Sequence, residues 1–322
     1  MLNSFSKTKI LVIGDLMADK YIFGKITKLS FEAPIPIVEV TETELKMGGA
    51  ALVIENVSLL GARAVLVGMV GNDDSGFWLK NRLKKLGVNS VGLITDKSIR
   101  TSLRTRIIAE NYQVSRFDDP PQKLNKSLET KIIKNLKHFI PKVDCVIVCD
   151  YGKGTLTNNV IKSINQIIKK NRKKIIVSPA ENHLKYKNSA FIYRIKLKDA
   201  VKLLDIKQEN YSIEEVCKKL NSLLKSKKVI LTKGDAGLTA YENGRTYDIM
   251  ATHHTARDVT SVGEVLVSTF AVSYASGMSF EDSCIVGNVA AGTVVEKIGA
   301  KNIDKEELEK SLDEYHEFAL QK

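Results

Sequence analysis

Long apolar runs are missing from this 322-residue chain. No stretch approaches the roughly 18 consecutive apolar residues that a membrane-spanning helix needs. The apolar run within the N-terminal MLNSFSKTKILVIG is too short for the hydrophobic region of a secretory leader. A soluble cytoplasmic protein without a membrane partner is the expectation. Cysteine is scarce too: Cys145, Cys149, Cys217 and Cys284 are too few and too scattered for a disulfide framework. Cys145 and Cys149 share the apolar run VDCVIVC, where strand geometry would hold them about 13 Å apart, beyond disulfide reach. Internal repeats and low-complexity tracts are absent. So is a Walker sequence, which leaves the lysine of Asp150-Tyr151-Gly152-Lys153-Gly154 without a phosphate assignment on that ground.

Charge is plentiful and unbalanced. Lysine and arginine exceed aspartate and glutamate by 49 − 37 = 12, a balance that attracts nucleic acid, anionic lipid or phosphorylated small molecules. The lysines are spread along amphipathic stretches such as KSINQIIKKNRKK and KKLNSLLKSKK. They are not gathered with aromatic residues into a binding module, so a solvated basic surface is the reading and nucleic acid is not expected.

One stretch organises the rest: Asp258-Val259-Thr260-Ser261-Val262-Gly263-Glu264 followed by the apolar run from Val265 to Ala275. It reads as an extended segment, a tight turn of small residues and the first turn of a buried helix. Such a helix start leaves backbone N–H groups without internal partners and carries partial positive charge, so an anion, a phosphate above all, can bind there. Glu264 in that first turn would sit beside the anion and could take a proton from an incoming hydroxyl. The same residues are also ordinary capping residues at a helix start, where glutamate is favoured by the dipole.

Along the chain, buried strands alternate with helices. Ile10 to Ile13 is a continuous apolar run ending at Gly14-Asp15, as in a parallel strand, and ligands bind at the C-terminal ends of such strands. Asp15 and Asp19 are therefore candidates for hydroxyl recognition, or else a turn residue and a surface residue. YIFGKI and PIPIVEV read as an antiparallel excursion. Gly48-Gly49 open a helix at a point where a ligand could approach the backbone, although paired glycines are also a common turn. TSLRTRIIA and YQVSRFD read as a hairpin around Asn111 that pairs with the excursion. Its Arg104, Arg106 and Arg116 recur on even spacing, facing either a phosphorylated ligand or nearby acids. Asn243-Gly244 marks a second hairpin. The βα alternation argues for a doubly wound parallel sheet.

These motifs together resemble the ribokinase or PfkB-type carbohydrate kinases, and within them the kinase half of bifunctional heptose-7-phosphate kinase/adenylyltransferases. The resemblance rests on ILVIGDLMADKY, SFEAPIPIVEV, MGGAALV, VGMVGNDDSG, CDYGKGTL, LTKGDAGL, DVTSVGE and NVAAGTVVEKIG, in family order over nearly the whole chain. It implies a ribokinase-like, doubly wound, mainly parallel sheet over residues 1–322 as a single domain. A small β-sheet lid from about 16–46 and 100–118 would double as a homodimer interface. It implies ATP and Mg2+ as cofactors and a sugar or sugar phosphate, heptose 7-phosphate among them, as acceptor. Asp15, Asp19, Gly48, Gly49, Arg104, Arg106 and Asp258 would meet the sugar. Lys196, Asp199, Thr232, Gly234, Gly237 and Asn288 would lie on the nucleotide side, with Asp199 toward the metal. Ser261, Val262 and Gly263 would form the anion hole, with Glu264 as base.

The chain also departs from that pattern. Where the family closes on Gly-Ala-Gly-Asp, Ser261-Val262-Gly263-Glu264 stands, with more bulk and a base one methylene longer. Leu52 replaces an asparagine and cannot hydrogen-bond a substrate. Lys196-Leu197-Lys198-Asp199 replaces the Asn-x-x-Glu element that organises magnesium, and Ser178-Pro179-Ala180 replaces Asp-Pro-Lys. Two expectations follow: a working sugar kinase of altered efficiency, or a homologue that binds sugar phosphate or dimerises without turnover.

Overall fold

The computed structural model describes residues 2–110, 112–180, 183–188, 191–207, 211–252, 261–295 and 301–320. Its centre is β1 (Lys9–Gly14), in which every residue after Lys9 is buried. Parallel neighbours flank it: β4 (Arg63–Gly71) and β5 (Asn89–Asp96) on one side, and β8 (Cys145–Asp150), β9 (Lys174–Pro179), β10 (Ile192–Lys196) and β11 (Lys228–Thr232) on the other. The antiparallel hairpin of β12 (Leu238–Glu242) and β13 (Arg245–Ile249) completes one edge, giving the order β13-β12-β11-β10-β9-β8-β1-β4-β5. At the hairpin tip Asn243 and Gly244 both take positive φ, 52° and 84°, the conformation that suits a two-residue connection between right-twisted strands.

Helices cover both faces of the sheet, and each face has its own core. On one side α1 (Ala50–Leu59), α7 (Val262–Ala275) and α8 (Phe280–Val295) pack with Ile10, Val12 and Ile147 beneath them. On the other, α3 (Lys126–Phe139), α4 (Asn158–Asn171) and α6 (Ile213–Leu224) cover Leu11, Ile13 and Val146. The odd and even residues of β1 thus feed different cores, which is why its sequence is apolar throughout. Local caps agree with the sequence: Thr157 accepts from the Val160 N–H at 3.2 Å, and Asn125 from that of Leu128 at 2.9 Å.

A separate four-stranded sheet, β3-β2-β6-β7, forms the lid. β2 (Leu16–Leu29) and β3 (Pro36–Gly49) are antiparallel, β6 (Ser102–Ala109) runs parallel to β2, and β7 (Tyr112–Asp118) returns antiparallel to β6. The lid strands are longer than the expected YIFGKI and PIPIVEV. β2 starts two residues after β1 ends, and β3 runs into α1 with no loop between them. The base of the lid is thereby fixed to the ends of the central strands. Asn111, expected at the tip of the second lid hairpin, lies outside the described residues.

Candidate active site

Where β1 ends, the Asp15 carboxylate is held by the backbone of the loop that follows β8. Oδ2 accepts the N–H of Tyr151 at 2.9 Å and that of Lys153 at 3.0 Å, while Oδ1 accepts the N–H of Thr155 at 2.9 Å. Burial pushes its carboxyl above the ordinary range, against the opposing pull of these N–H donors. The expectation that Asp15 recognises a sugar hydroxyl is corrected accordingly: both oxygens are occupied by backbone. Its consequence is the path of residues 151–155, which carry Tyr151 across to α7.

The α7 N-terminus is the centre of the site. Ser261 caps it without a hydrogen bond from its side chain to the helix; the Ser261 Oγ instead accepts the N–H of Lys301 at 3.1 Å. The first internal bond runs from the Val265 N–H to the Ser261 carbonyl at 3.0 Å, so helix geometry leaves the N–H groups of Val262, Gly263 and Glu264 without intrahelical partners. Val262 packs against the core rather than over this turn. Glu264 is half-buried, and its Oε1 accepts the Tyr151 hydroxyl at 2.6 Å. The Tyr151 phenol is held far above its ordinary range by burial and by the negative charge of Glu264, so it stays a donor.

Arg194, near the end of β10, approaches the same turn. A Cβ built on Gly263 would stand 3.0 Å from Arg194 Nη2, so any side chain at 263 would push the guanidinium away. Nη2 donates to Thr232 Oγ1 at 3.2 Å, while the enclosed Nε has no hydrogen-bond partner. Burial lowers the pKa of this arginine against the charges of Glu264, Tyr151 and Asp199, which raise it. An arginine nevertheless stays charged at neutral pH. A cation at the positive end of a helix is unfavourable; both are compensated together if an anion lies between them.

At the lid base, Asp19 accepts a hydrogen bond from Arg106 Nη1 at 3.1 Å and lies 3.8 Å from Arg104 Nη1. Arg116 grips Asp118 through Nε and Nη2 at 2.7 and 2.5 Å, and Asp118 also lies 3.7 Å from Arg104 Nε. The evenly spaced arginines pair with acids on one face of the lid. Burial raises the pKa of Asp19 against the two arginines that lower it, and the charge of Glu264 adds to the rise. Its Oδ1 has no partner. Gly48 lies directly beneath: a Cβ there would fall 2.6 Å from Asp19 Oδ1. Gly49, at φ 56° and ψ −131°, caps α1 in a conformation open to glycine. A Cβ on it would come 3.2 Å from the Tyr151 ring.

The residues expected on the nucleotide side divide. Thr232 meets Arg194, as described, and Gly234 and Gly237 flank the short turn between β11 and β12 with φ of 69° and 80°. Asn288 instead donates its amide N–H to the Met250 carbonyl at 2.8 Å, holding the chain just beyond β13. Lys196 ends β10, and Asp199 lies in the first turn of α5 (Leu197–Leu203). Burial lowers the Lys196 pKa, and so do the charges of Arg194 and Lys198, while Asp199 and Glu264 oppose them.

These neighbours bear on magnesium. The ion is ordinarily held by one or two carboxylates together with substrate phosphates. Here the carboxylates of Asp199 and Glu264 are interleaved with the cations of Arg194 and Lys196. No group of three or more His, Cys, Asp or Glu side chains suited to a metal occurs among the described residues. The cations beside these two carboxylates compete with a divalent ion for them, whereas the first turn of α7 and the Arg194 guanidinium suit an anion such as a phosphate.

Sequence reasoning missed Arg194 and gave Tyr151 no role. The signal for Arg194 is a lone arginine in FIYRI, near the C-terminal end of an apolar parallel strand, where ligands bind in such sheets. Tyr151 had no comparable signal, because its partner lies 113 residues further along the chain. Asp258 lies outside the described residues.

Comparison with known proteins agrees with this geometry. Residues 7–307 match the pattern of the pfkB family carbohydrate kinases. The bifunctional protein HldE of Desulfatibacillum aliphaticivorans is 33% identical over 314 residues, covering 96% of this chain and 64% of that protein. HldE of Helicobacter pylori strain G27 is 33% identical over 316 residues, covering 96% and 67%. The chain therefore spans about two thirds of the length of these relatives. Among solved structures, the ribokinase of Arabidopsis thaliana complexed with ribose and ATP superposes with a TM-score of 0.76 at 17% identity, over 95% of this chain and 98% of that one. Phosphofructokinase-2 of Escherichia coli in complex with substrates and products gives 0.80 at 15%, over 94% and 97%. The fold is ribokinase-like. This chain belongs to the pfkB family of carbohydrate kinases.

Proposed function

We propose that the protein transfers a phosphoryl group from ATP to a hydroxyl of a sugar or sugar phosphate. The observation that carries this reading is the first turn of α7, where Glu264 stands beside open N–H groups and the Arg194 guanidinium. The hydroxyl oxygen attacks the terminal phosphorus and forms the new P–O bond, the bond to the bridging oxygen of ADP breaks, and the hydroxyl proton passes to Glu264. The N–H groups of residues 262–264 and Arg194 hold the charge on the transferred group. Tyr151 fixes the carboxylate through Oε1, leaving Oε2 for the alcohol.

A crevice of about 410 Å³ lined by Lys46, Leu52, Trp78, Arg82, Lys85 and Lys301, among others, provides room for the acceptor. Lys301 joins it to the α7 cap, since its N–H is the donor to Ser261 Oγ. Lys46 and Arg82 there pair with Glu44 and Glu55; a tryptophan ring together with Lys85 and Lys301 suits a polyol that carries a phosphate, and heptose 7-phosphate is the acceptor we put forward first. We further propose a homodimer formed through the lid, and a reducing cytoplasmic setting in keeping with four buried free cysteines. No helix among the described residues is long and apolar enough to cross a membrane.

The test is release of ADP from ATP, with and without magnesium, against a panel of sugars and sugar phosphates. We expect turnover with a phosphorylated acceptor, and a loss of about 10²- to 10⁴-fold in Glu264→Ala, the ordinary worth of a general base. A second reading, a homologue that binds without turnover, is favoured by the two cations Arg194 and Lys196 beside Glu264. Acceptor-induced thermal stabilisation with no ADP above the Glu264→Ala background would establish it and end the kinase reading.

A further inference from the structure

We infer that Arg194 and Lys196 neutralise the nucleotide phosphates in place of a divalent ion, so that this chain binds ATP without metal. The inference rests on the nucleotide reading above and goes beyond it.

The two residues alternate along β10, so both side chains leave the strand on one face. In register they stand against Ile230 and Thr232 of β11. Arg194 reaches the α7 turn closely enough that a Cβ on Gly263 would stand 3.0 Å from its Nη2. Among the described residues it has one good hydrogen bond, to Thr232, and an enclosed Nε with none, although a guanidinium carries five donors suited to phosphate oxygens. Lys196 is exposed at the end of β10 and has no ion pair or hydrogen bond identified among the described residues.

The acids do not cancel this charge. Asp199 and Glu264 are the carboxylates acting on both cations, but Lys198 adds a third positive charge beside Lys196. Glu264 is in addition tied to Tyr151. To the three cations is added the positive end of α7, whose first N–H groups are open. A divalent ion placed among them would face three like charges and find few ligands. The triphosphate meets the same cations as partners. In phosphoryl-transfer sites the metal neutralises the phosphate oxygens and holds them in place; a guanidinium and an ammonium at fixed positions do both.

The test measures equilibrium binding of ATP and of a non-hydrolysable ATP analogue to the full chain by titration calorimetry, in excess EDTA and in excess magnesium. We expect the two dissociation constants to agree within about threefold. In EDTA, Arg194→Gln weakens binding by about a hundredfold and Lys196→Asn by about tenfold, and magnesium restores part of each loss. Arg194→Lys, which keeps the charge but not the fork, falls between wild type and Arg194→Gln. Melting temperatures within a few degrees of wild type show that the variants fold. The wild-type comparison needs no variant. Wild-type binding that weakens tenfold or more in EDTA overturns the inference while leaving the nucleotide reading intact. Absence of ATP binding under both conditions overturns both.

Discussion

In the proposed reaction Tyr151 and Glu264 form the decisive contact, and its geometry suits a carboxylate one methylene longer than an aspartate. The longer carboxylate reaches the Tyr151 hydroxyl at 2.6 Å, and the tyrosine is itself pressed against Gly49, whose missing Cβ leaves room for the ring. We therefore expect Tyr151→Phe to lower kcat by about tenfold, near the low end of what a hydrogen bond to a charged group contributes, while the dissociation constant for ATP is unchanged. Steady-state kinetics with calorimetric binding checks the split; an unchanged kcat, or an equal loss in ATP affinity, removes the positioning role. Glu264 was legible in the sequence because a carboxylate in the first turn of an apolar helix follows a local rule. Arg194 and Tyr151 were not, because their meaning comes from residues far away in the chain. Asp15 shows the opposite error. Its place after β1 was read correctly, but the sequence could not show that three backbone N–H groups from residues 151–155 would claim it.

The loop from 151 to 155 links that buried carboxylate to α7. Its backbone is ordered by Asp15 from inside, and Lys153 Nζ adds a hydrogen bond to the Asp119 carbonyl at 2.5 Å, beside the end of the lid. Removing the acceptor leaves three N–H groups to be satisfied at once. Asp15→Ala is expected to cost about 3 kcal/mol or more of unfolding free energy, read from urea denaturation, with a fall in kcat as Tyr151 loses its anchor. A loss below about 0.5 kcal/mol would show that water satisfies the loop equally well. Elements with strong local rules, such as the hairpin at Asn243-Gly244, were legible from sequence alone. β5 was not, because NSVGLITD is a short edge strand with mixed burial, and neither its length nor its polarity separates it from a loop. The lid strands were recognised but shortened. Their mixed, half-exposed composition hides how far pairing extends, whereas the register continues from Leu16↔Gly49 to Leu29↔Pro36 through two bulges.

The two faces of the lid differ in kind. Along β2 and its neighbours, Asp19, Arg104, Arg106, Arg116 and Asp118 share the face turned to the site, by alternation and by register. The opposite face carries Ile26, Val40 and Phe117, which are 42%, 60% and 58% exposed, and the fully exposed Phe31 sits in the turn between β2 and β3. Apolar side chains concentrated on one side of a small sheet mark an interaction surface rather than ordinary scatter. A second copy of the chain is the proposed occupant, since two such sheets facing each other would bury the same residues on both and leave the charged faces turned to their own sites. The expected outcome is a dimer by sedimentation velocity at micromolar concentration, converted to monomer by Val40→Glu combined with Phe117→Glu. Because neither residue belongs to the charged face of the lid, the double variant should retain ATP binding. A wild-type chain that sediments as a monomer across the same range, or a double variant that remains dimeric, would remove the lid as the interface. Loss of acceptor affinity on dissociation would show further that the pairing holds the lid in position over the site.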